Sequence, residues 1–313
     1  MPATHKRFLQ AKESFPKMKT DSFTWSLETQ ASCMRCQRAF FFREYASCDD
    51  ALARQLTHLQ TMEEWTGAMI RQSLAQALSE YAASGKLPGM EQLHGIALGN
   101  MRKSWMEYLN GAWKENPESA TNIFELSYGN GNEYGTLRKL PQETTDNAKR
   151  QILEAMDAFY YSPFIKSLAE LDKGLWLFPG HGETFRLEET NVQEAPDFIY
   201  REKDGTASTL FWTLGNEYRP FLRLRQACHK LFAMEKCSLP SSQVNVCTVF
   251  LNDGGRCRTY IVSDADLASA RRQILKGAEI AVEKAKASQG KEDYPMQPDA
   301  SCNDCKYKRL CLD

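Results

Sequence analysis

No run of 18 or more apolar residues occurs in the 313-residue sequence, which argues against a transmembrane helix. The N-terminus, MPATHKRFLQAKESF, is basic but lacks an apolar core and a small-residue cleavage site, so it does not read as a secretory signal. It reads as a solvated tail or a weak basic arm. Charge of one sign is also lacking: 39 Lys and Arg against 40 Asp and Glu leave a formal charge of −1. Nucleic-acid binding through bulk positive charge is thereby excluded, and any such contact must come from local basic patches. Internal repeats and low-complexity linkers are absent as well. What remains fits a cytoplasmic globular protein, 42% hydrophobic and 25% charged, long enough for one large domain or two small ones.

Ten cysteines are present. In a reducing compartment they are not expected to form structural disulfides. Cys228, Cys247 and Cys257 lie in apolar helical or strand patterns and read as small buried residues. The cysteines that cluster are a different matter. The chain ends with Cys302-x2-Cys305-x5-Cys311. A Cys-x2-Cys step puts two thiolates on one tight turn, and a third follows a turn later. Zinc and iron–sulfur centres both use such thiolates, and both need a fourth ligand. The tail has no second short step and no nearby histidine, and the Cys33-x2-Cys36 step lies far upstream.

Along the chain, residues 23–45 read as a helix start followed by a buried aromatic segment. Residues 51–84 form a long helical pattern with a break expected near Glu63–Gly67, and residues 96–115 and 144–170 also show helical spacing. Pro88, Pro117 and Pro141 punctuate the connections. After Gly174 the pattern changes. LWLF is a short strand, ETFRLEE alternates, and APDFIYREKDGTASTLFWTLG reads as two strands around Lys203-Asp204-Gly205. PFLRLRQACHKLFAMEK is a helix. Two further strands flank Asn252-Asp253-Gly254-Gly255, a hairpin signal. Ser263 then caps a last long helix, with Asp266 in the capping-box position. The order is a helical half, then β-β-β-α-β-β-α, then a cysteine tail: an α/β core preceded by a helical subdomain. The expected divisions are 1–22 (tail), 23–170 (N-terminal cysteine segment and helical subdomain), 171–287 (α/β core) and 288–313 (C-terminal cysteine segment).

Several segments together resemble the iron–sulfur branch of the PD-(D/E)XK nuclease superfamily, which includes AddB-type nuclease domains and RecB-type CRISPR-adaptation exonucleases. They are Trp25-Ser26, Cys36-Gln37-Arg38, Phe40-Phe41-Phe42, Trp65-Thr66-Gly67 through Arg71, Ala195-Pro196-Asp197, Leu210 through Gly215, Gln226, the FLNDGG hairpin and the C-terminal cysteine spacing. The resemblance covers nearly the whole chain. It implies a restriction-endonuclease-like core with a mixed sheet. It also implies a 4Fe-4S cluster held by Cys36, Cys302, Cys305 and Cys311, leaving Cys33 as a core residue.

The same resemblance implies a damaged catalytic site. Family members hold Mg²⁺ or Mn²⁺ between an aspartate and a second carboxylate, which activates a water. A lysine two residues later on the same strand face orients that water. Here Asp197 is present, but Phe211 stands in place of the second carboxylate, Thr213 in place of the lysine and Arg71 in place of a metal-binding histidine. Lys230 replaces a tyrosine four residues after Gln226. Arg71 repels a cation; it is suited to a phosphate or to a salt bridge with Asp197.

Three functional readings follow. The first is a pseudonuclease that binds DNA or scaffolds a nuclease, defence or DNA-repair assembly, with a nuclease, helicase or defence-system subunit as partner and Arg71, Gln226, Lys230, Lys308 and Arg309 as candidate nucleic-acid contacts. For Lys306, Lys308 and Arg309 the competing reading is a solvated charged face. The second is a metal-dependent exonuclease or endonuclease whose ligands have migrated to Glu188, Glu189 or Glu217, with Lys203 or Lys230 supplying the ammonium. The third is an iron–sulfur redox sensor with no nucleic acid. A membrane partner is not expected.

Overall fold

Ser26 begins the first helix by accepting a hydrogen bond from the Thr29 N–H, and the turn runs as α1 (Leu27–Arg35). Cys36 then adopts an extended backbone (φ −158°, ψ 113°), which ends α1 and starts α2 (Gln37–Glu44). The computed structural model describes residues 23–118, 120–124, 140–168, 170–171, 176–179, 182–215, 221–288, 290–298, 302 and 305–312. The expected N-terminal tail, Gly174 and Glu217 lie outside the described residues.

The helical half consists of α3 (Ala51–Thr57), α4 (Met62–Ser84), α5 (Met90–Leu109), α6 (Ala112–Glu115), α7 (Gln142–Tyr161) and α8 (Pro163–Leu168). The break in the 51–84 pattern falls before Met62, not at Glu63–Gly67. Thr61 and Glu64 form a reciprocal capping box that starts α4 afresh. Gly67 stays helical, and the Arg71 guanidinium folds back over the space its missing side chain leaves. Gly85, in the left-handed region (φ 72°), ends the helix.

Two sheets follow. The smaller joins β1 (Thr24–Trp25), β3 (Phe185–Leu187) and β4 (Thr190–Val192) in the order β1-β4-β3, with β1 parallel to β4. Pairing across such a sequence distance is a tertiary event, and Thr24–Trp25 carries no local strand pattern that reveals it.

The larger sheet contains β2 (Trp176–Leu177), β5 (Phe198–Arg201), β6 (Ala207–Thr213), β7 (Val244–Phe250) and β8 (Arg256–Tyr260), in the order β2-β5-β6-β7-β8. β6 and β7 are parallel and are connected through α9 (Leu222–Cys237); the other neighbours are antiparallel. The chain is therefore a mixed α/β protein.

Alternation along the strands divides the core between the two sheet faces. Phe198, Leu210, Trp212 and Val249 face the helical half and join Trp65, Leu74, Ile152 and Phe159 in one apolar cluster. Ile199, Ala207, Val244 and Val246 face the other way, against α9 and α10 (Asp264–Ala287). Ser263 and Asp266 form the expected capping box at the start of α10.

A third cluster joins the two ends of the described chain. Phe40, Phe41 and Phe42 of α2 pack with Leu56, Leu59, Tyr294 and Tyr307, and Cys33, Cys305 and Cys311 lie against it. Arg38 donates from Nε to the Tyr294 carbonyl at 2.7 Å and pairs with Glu292 at 3.2 Å. A short helix, α11 (Lys308–Leu312), closes this region. Among the described residues no helix is long and apolar enough to cross a membrane.

Candidate functional site

The helix break at Cys36 places one cysteine beside the C-terminal step. There the Cys305 N–H donates to the Cys302 carbonyl at 3.3 Å, and the Cys311 N–H donates to the Tyr307 carbonyl at 3.0 Å. Burial raises the Cys305 thiol above its ordinary range; the Tyr307 N–H and Arg35 oppose this, while Cys36 and Cys302 add to it. Cys311 is likewise raised by burial, opposed by Arg38, and raised further by Cys36, Cys305 and Cys302. Cys305 and Cys311 are thus each within electrostatic reach of Cys36 and Cys302, and of each other. Cys33 has a different environment, set by burial, Lys284 and Glu44. Among the described residues no three His, Cys, Asp or Glu side chains stand at metal-ligand spacing. The four cysteines are neighbours that do not form a closed ligand set.

The basic residues of the tail divide. Lys306 donates to the carbonyls of Thr57 (2.8 Å) and Leu59 (3.4 Å), and burial lowers its pKa. Its ammonium serves the C-terminal end of α3, which corrects the expectation of a solvated charge. Lys308 lies 5.8 Å from the centre of the Phe124 ring, and Arg309 is exposed.

A second constellation lies where β5 and β6 begin and end beside α9. Asp197, Phe211, Thr213 and Thr248 share the sheet face that α9 covers. Asp197 accepts the Trp212 N–H at 2.8 Å and stands 4.0 Å from Nε of Arg71. Burial pushes its carboxyl up to about 6, with Arg71, the Trp212 N–H and Arg225 acting in the opposite direction. Of the two roles considered for Arg71, the geometry shows the ion pair with Asp197.

Phe211 fills the position opposite Asp197. The Arg225 guanidinium lies 4.8 Å from its ring centre and the His229 ring 5.5 Å away. Arg225 also pairs with Glu194 at 3.6 Å, and Glu194 accepts the Leu27 N–H at 3.2 Å. Burial raises the Glu194 carboxyl, opposed first by Arg225. His229 is pushed down to about 3 by burial and by Arg225, so it is neutral at physiological pH. Thr213 accepts the Gly215 N–H at 2.9 Å and closes the turn after β6.

Gln226 is buried. Lys230 is also buried, and its ammonium donates to the Val262 carbonyl at 3.0 Å, away from Asp197. Glu188 and Glu189 belong to the β3–β4 turn, where Arg186 binds the Glu188 carbonyl and the Glu189 carboxylate. Lys203 is exposed in the β5–β6 turn. Sequence reasoning missed Glu194 and Arg225. The available signals were a carboxylate three residues before Asp197 and an arginine directly before Gln226.

No family model matches the chain, and no curated protein matches it in sequence.

Proposed function

We propose that this chain is a PD-(D/E)XK-like pseudonuclease, stapled by a 4Fe-4S cluster, that binds DNA or scaffolds a partner in a nuclease, repair or defence assembly. One observation supports an inactive site: among the described residues, Asp197 and Glu194 each face a guanidinium, Arg71 at 4.0 Å and Arg225 at 3.6 Å, and Arg225 also covers the Phe211 ring. A divalent ion in this chemistry needs several converging oxygens with unpaired charge. Arginine in their place removes the charge a metal would neutralise and adds a cation that repels it. Phe211 supplies no oxygen, and the Thr213 hydroxyl is engaged with its own turn.

Four neighbouring soft thiols support the cluster part of the reading. Cys36, Cys302, Cys305 and Cys311 would hold it, with thiolates as donors. The nearby cations Arg35 and Arg38 favour thiolate charge, whereas burial opposes it; a bound metal centre supplies the missing stabilisation.

The test is cleavage and binding on the same preparation, using single- and double-stranded DNA with Mg²⁺ or Mn²⁺. The expected result is no cleavage with either ion, and binding that weakens as salt rises. Metal-dependent cleavage that disappears in Asp197→Ala would overturn the proposal and favour the active nuclease. Absence of DNA binding together with reversible cluster bleaching would favour the sensor reading.

A further inference from the structure

β7 and β8 carry two thiols on the sheet face that meets the helical half. Cys247 stands opposite Thr259, and Cys257 stands opposite Val249, so the two cysteines are diagonal neighbours with side chains on one face. Cys247 is buried, with Sγ 3.4 Å from the Thr259 hydroxyl, whereas Cys257 is exposed. We propose that Cys247 and Cys257 form a reversible thiol–disulfide site whose co-substrate is a small-molecule disulfide of the glutathione type.

The division of labour follows from exposure. The Cys257 thiolate attacks one sulfur of the small disulfide, the S–S bond breaks, and one small thiol leaves carrying a proton. Cys247 then attacks the Cys257 sulfur of the mixed disulfide and releases the second small thiol with the second proton. Two protein thiols lose two electrons and two protons, and the small disulfide takes up both.

The two thiols shift each other in opposite directions: hydrogen bonding from Cys257 and Thr259 lowers the Cys247 pKa against the effect of burial, while the bond to Cys247, with burial, raises Cys257. Cys257 therefore attacks slowly, through the small thiolate fraction that its exposure leaves accessible, and Cys247 is suited to the second attack. Tyr200 and Glu202 are titratable groups near the pair. A diagonal pair sits about 7–8 Å apart between Cα atoms, beyond the span of up to about 6.8 Å usual for a relaxed disulfide. The bond should therefore be strained and readily reduced, a property of labile disulfides.

The experiment treats the native protein with oxidised glutathione, quenches with acid, alkylates and maps peptides by mass. The expected product is a Cys247–Cys257 cross-link, two hydrogens lighter and reversed by dithiothreitol, that grows at the expense of the mixed disulfide as free glutathione is removed. In Cys247→Ser, Cys257 should retain one glutathione; in Cys257→Ser, Cys247 should stay unmodified. Native protein that accumulates glutathione on Cys257 while Cys247 remains a free thiol would overturn the proposal. So would reaction at the exposed Cys48 with none at Cys257.

Discussion

Asp197 keeps its carboxyl largely buried, and that burial sets a sign that can be measured. The ordinary value for the group is 3.8, and in the folded chain it is pushed up to about 6. Below pH 4 the group is protonated whether folded or not. Between pH 4 and 6 the unfolded chain gives up the proton while the folded chain retains it. Stability therefore falls as pH rises through this window, then levels off above it. The shift corresponds to roughly 3 kcal/mol at neutral pH. Asp197→Asn keeps an oxygen for the Trp212 N–H but cannot ionise. Urea unfolding at a series of pH values should show the variant gaining on the parent between pH 4 and 6, with a constant gap above. Parallel curves across this range would show that Asp197 is not buried as described. The family resemblance, not the spacing by itself, brought Asp197, Phe211, Thr213 and Arg71 into one account, and the Arg71–Asp197 pair was one of its alternatives. Glu194 and Arg225 were not legible because their pairing depends on how α9 and the start of α1 meet. Lys230 and Lys306 show the same gap: sequence displays their charge, whereas burial against backbone carbonyls decides their use.

Elements were easier to read wherever local chemistry fixes them. The β7–β8 hairpin was legible from its Asn-Asp-Gly-Gly turn, and both glycines have positive φ, 60° at Gly254 and 72° at Gly255. Gly255 carries a second constraint that the sequence does not announce. A Cβ there would collide with the Ala158 carbonyl oxygen and stand 2.8 Å from Cβ of Ser162. Because α7 lies against this turn, Gly255→Ala combines backbone strain with overpacking. The expected loss is roughly 2–4 kcal/mol in urea unfolding. Gly254→Ala meets no atom within 4 Å and should lose only about 1 kcal/mol. Equal losses at the two sites would mean that the hairpin does not rest on α7. Helix starts at Thr61 and Ser263 are similarly local, since a capping box is written within four residues. In the small sheet, β3 was legible from the alternation of ETFRLEE, but β1 and β4 were not, for the opposite reason. β1 and β4 consist of two and three residues that become strands only by finding each other.

For the molecule as a whole, the decisive contact is the third apolar cluster, where α2 meets the C-terminal segment through Phe41, Tyr294 and Tyr307. The proposed cluster would add a covalent closure at the same place, tying Cys36 to Cys302, Cys305 and Cys311. Closing so long a loop removes conformational freedom from the unfolded chain, so its effect should appear in global stability as well as in local order. Protein purified without oxygen should contain about four iron and four sulfide per chain and show a visible charge-transfer band. Cys36→Ser should lose most of the iron, unfold at lower temperature, and become sensitive to proteases in residues 290–312. Cys33→Ser provides the matched control, because Cys33 shares α1 but is set among Lys284 and Glu44. It should keep its iron and its protease resistance. Zinc without sulfide in the parent would replace the cluster with a structural zinc site on the same four thiols. Iron retained in Cys36→Ser but lost in Cys33→Ser would move the fourth ligand to Cys33, and the break between α1 and α2 would then be a packing feature alone.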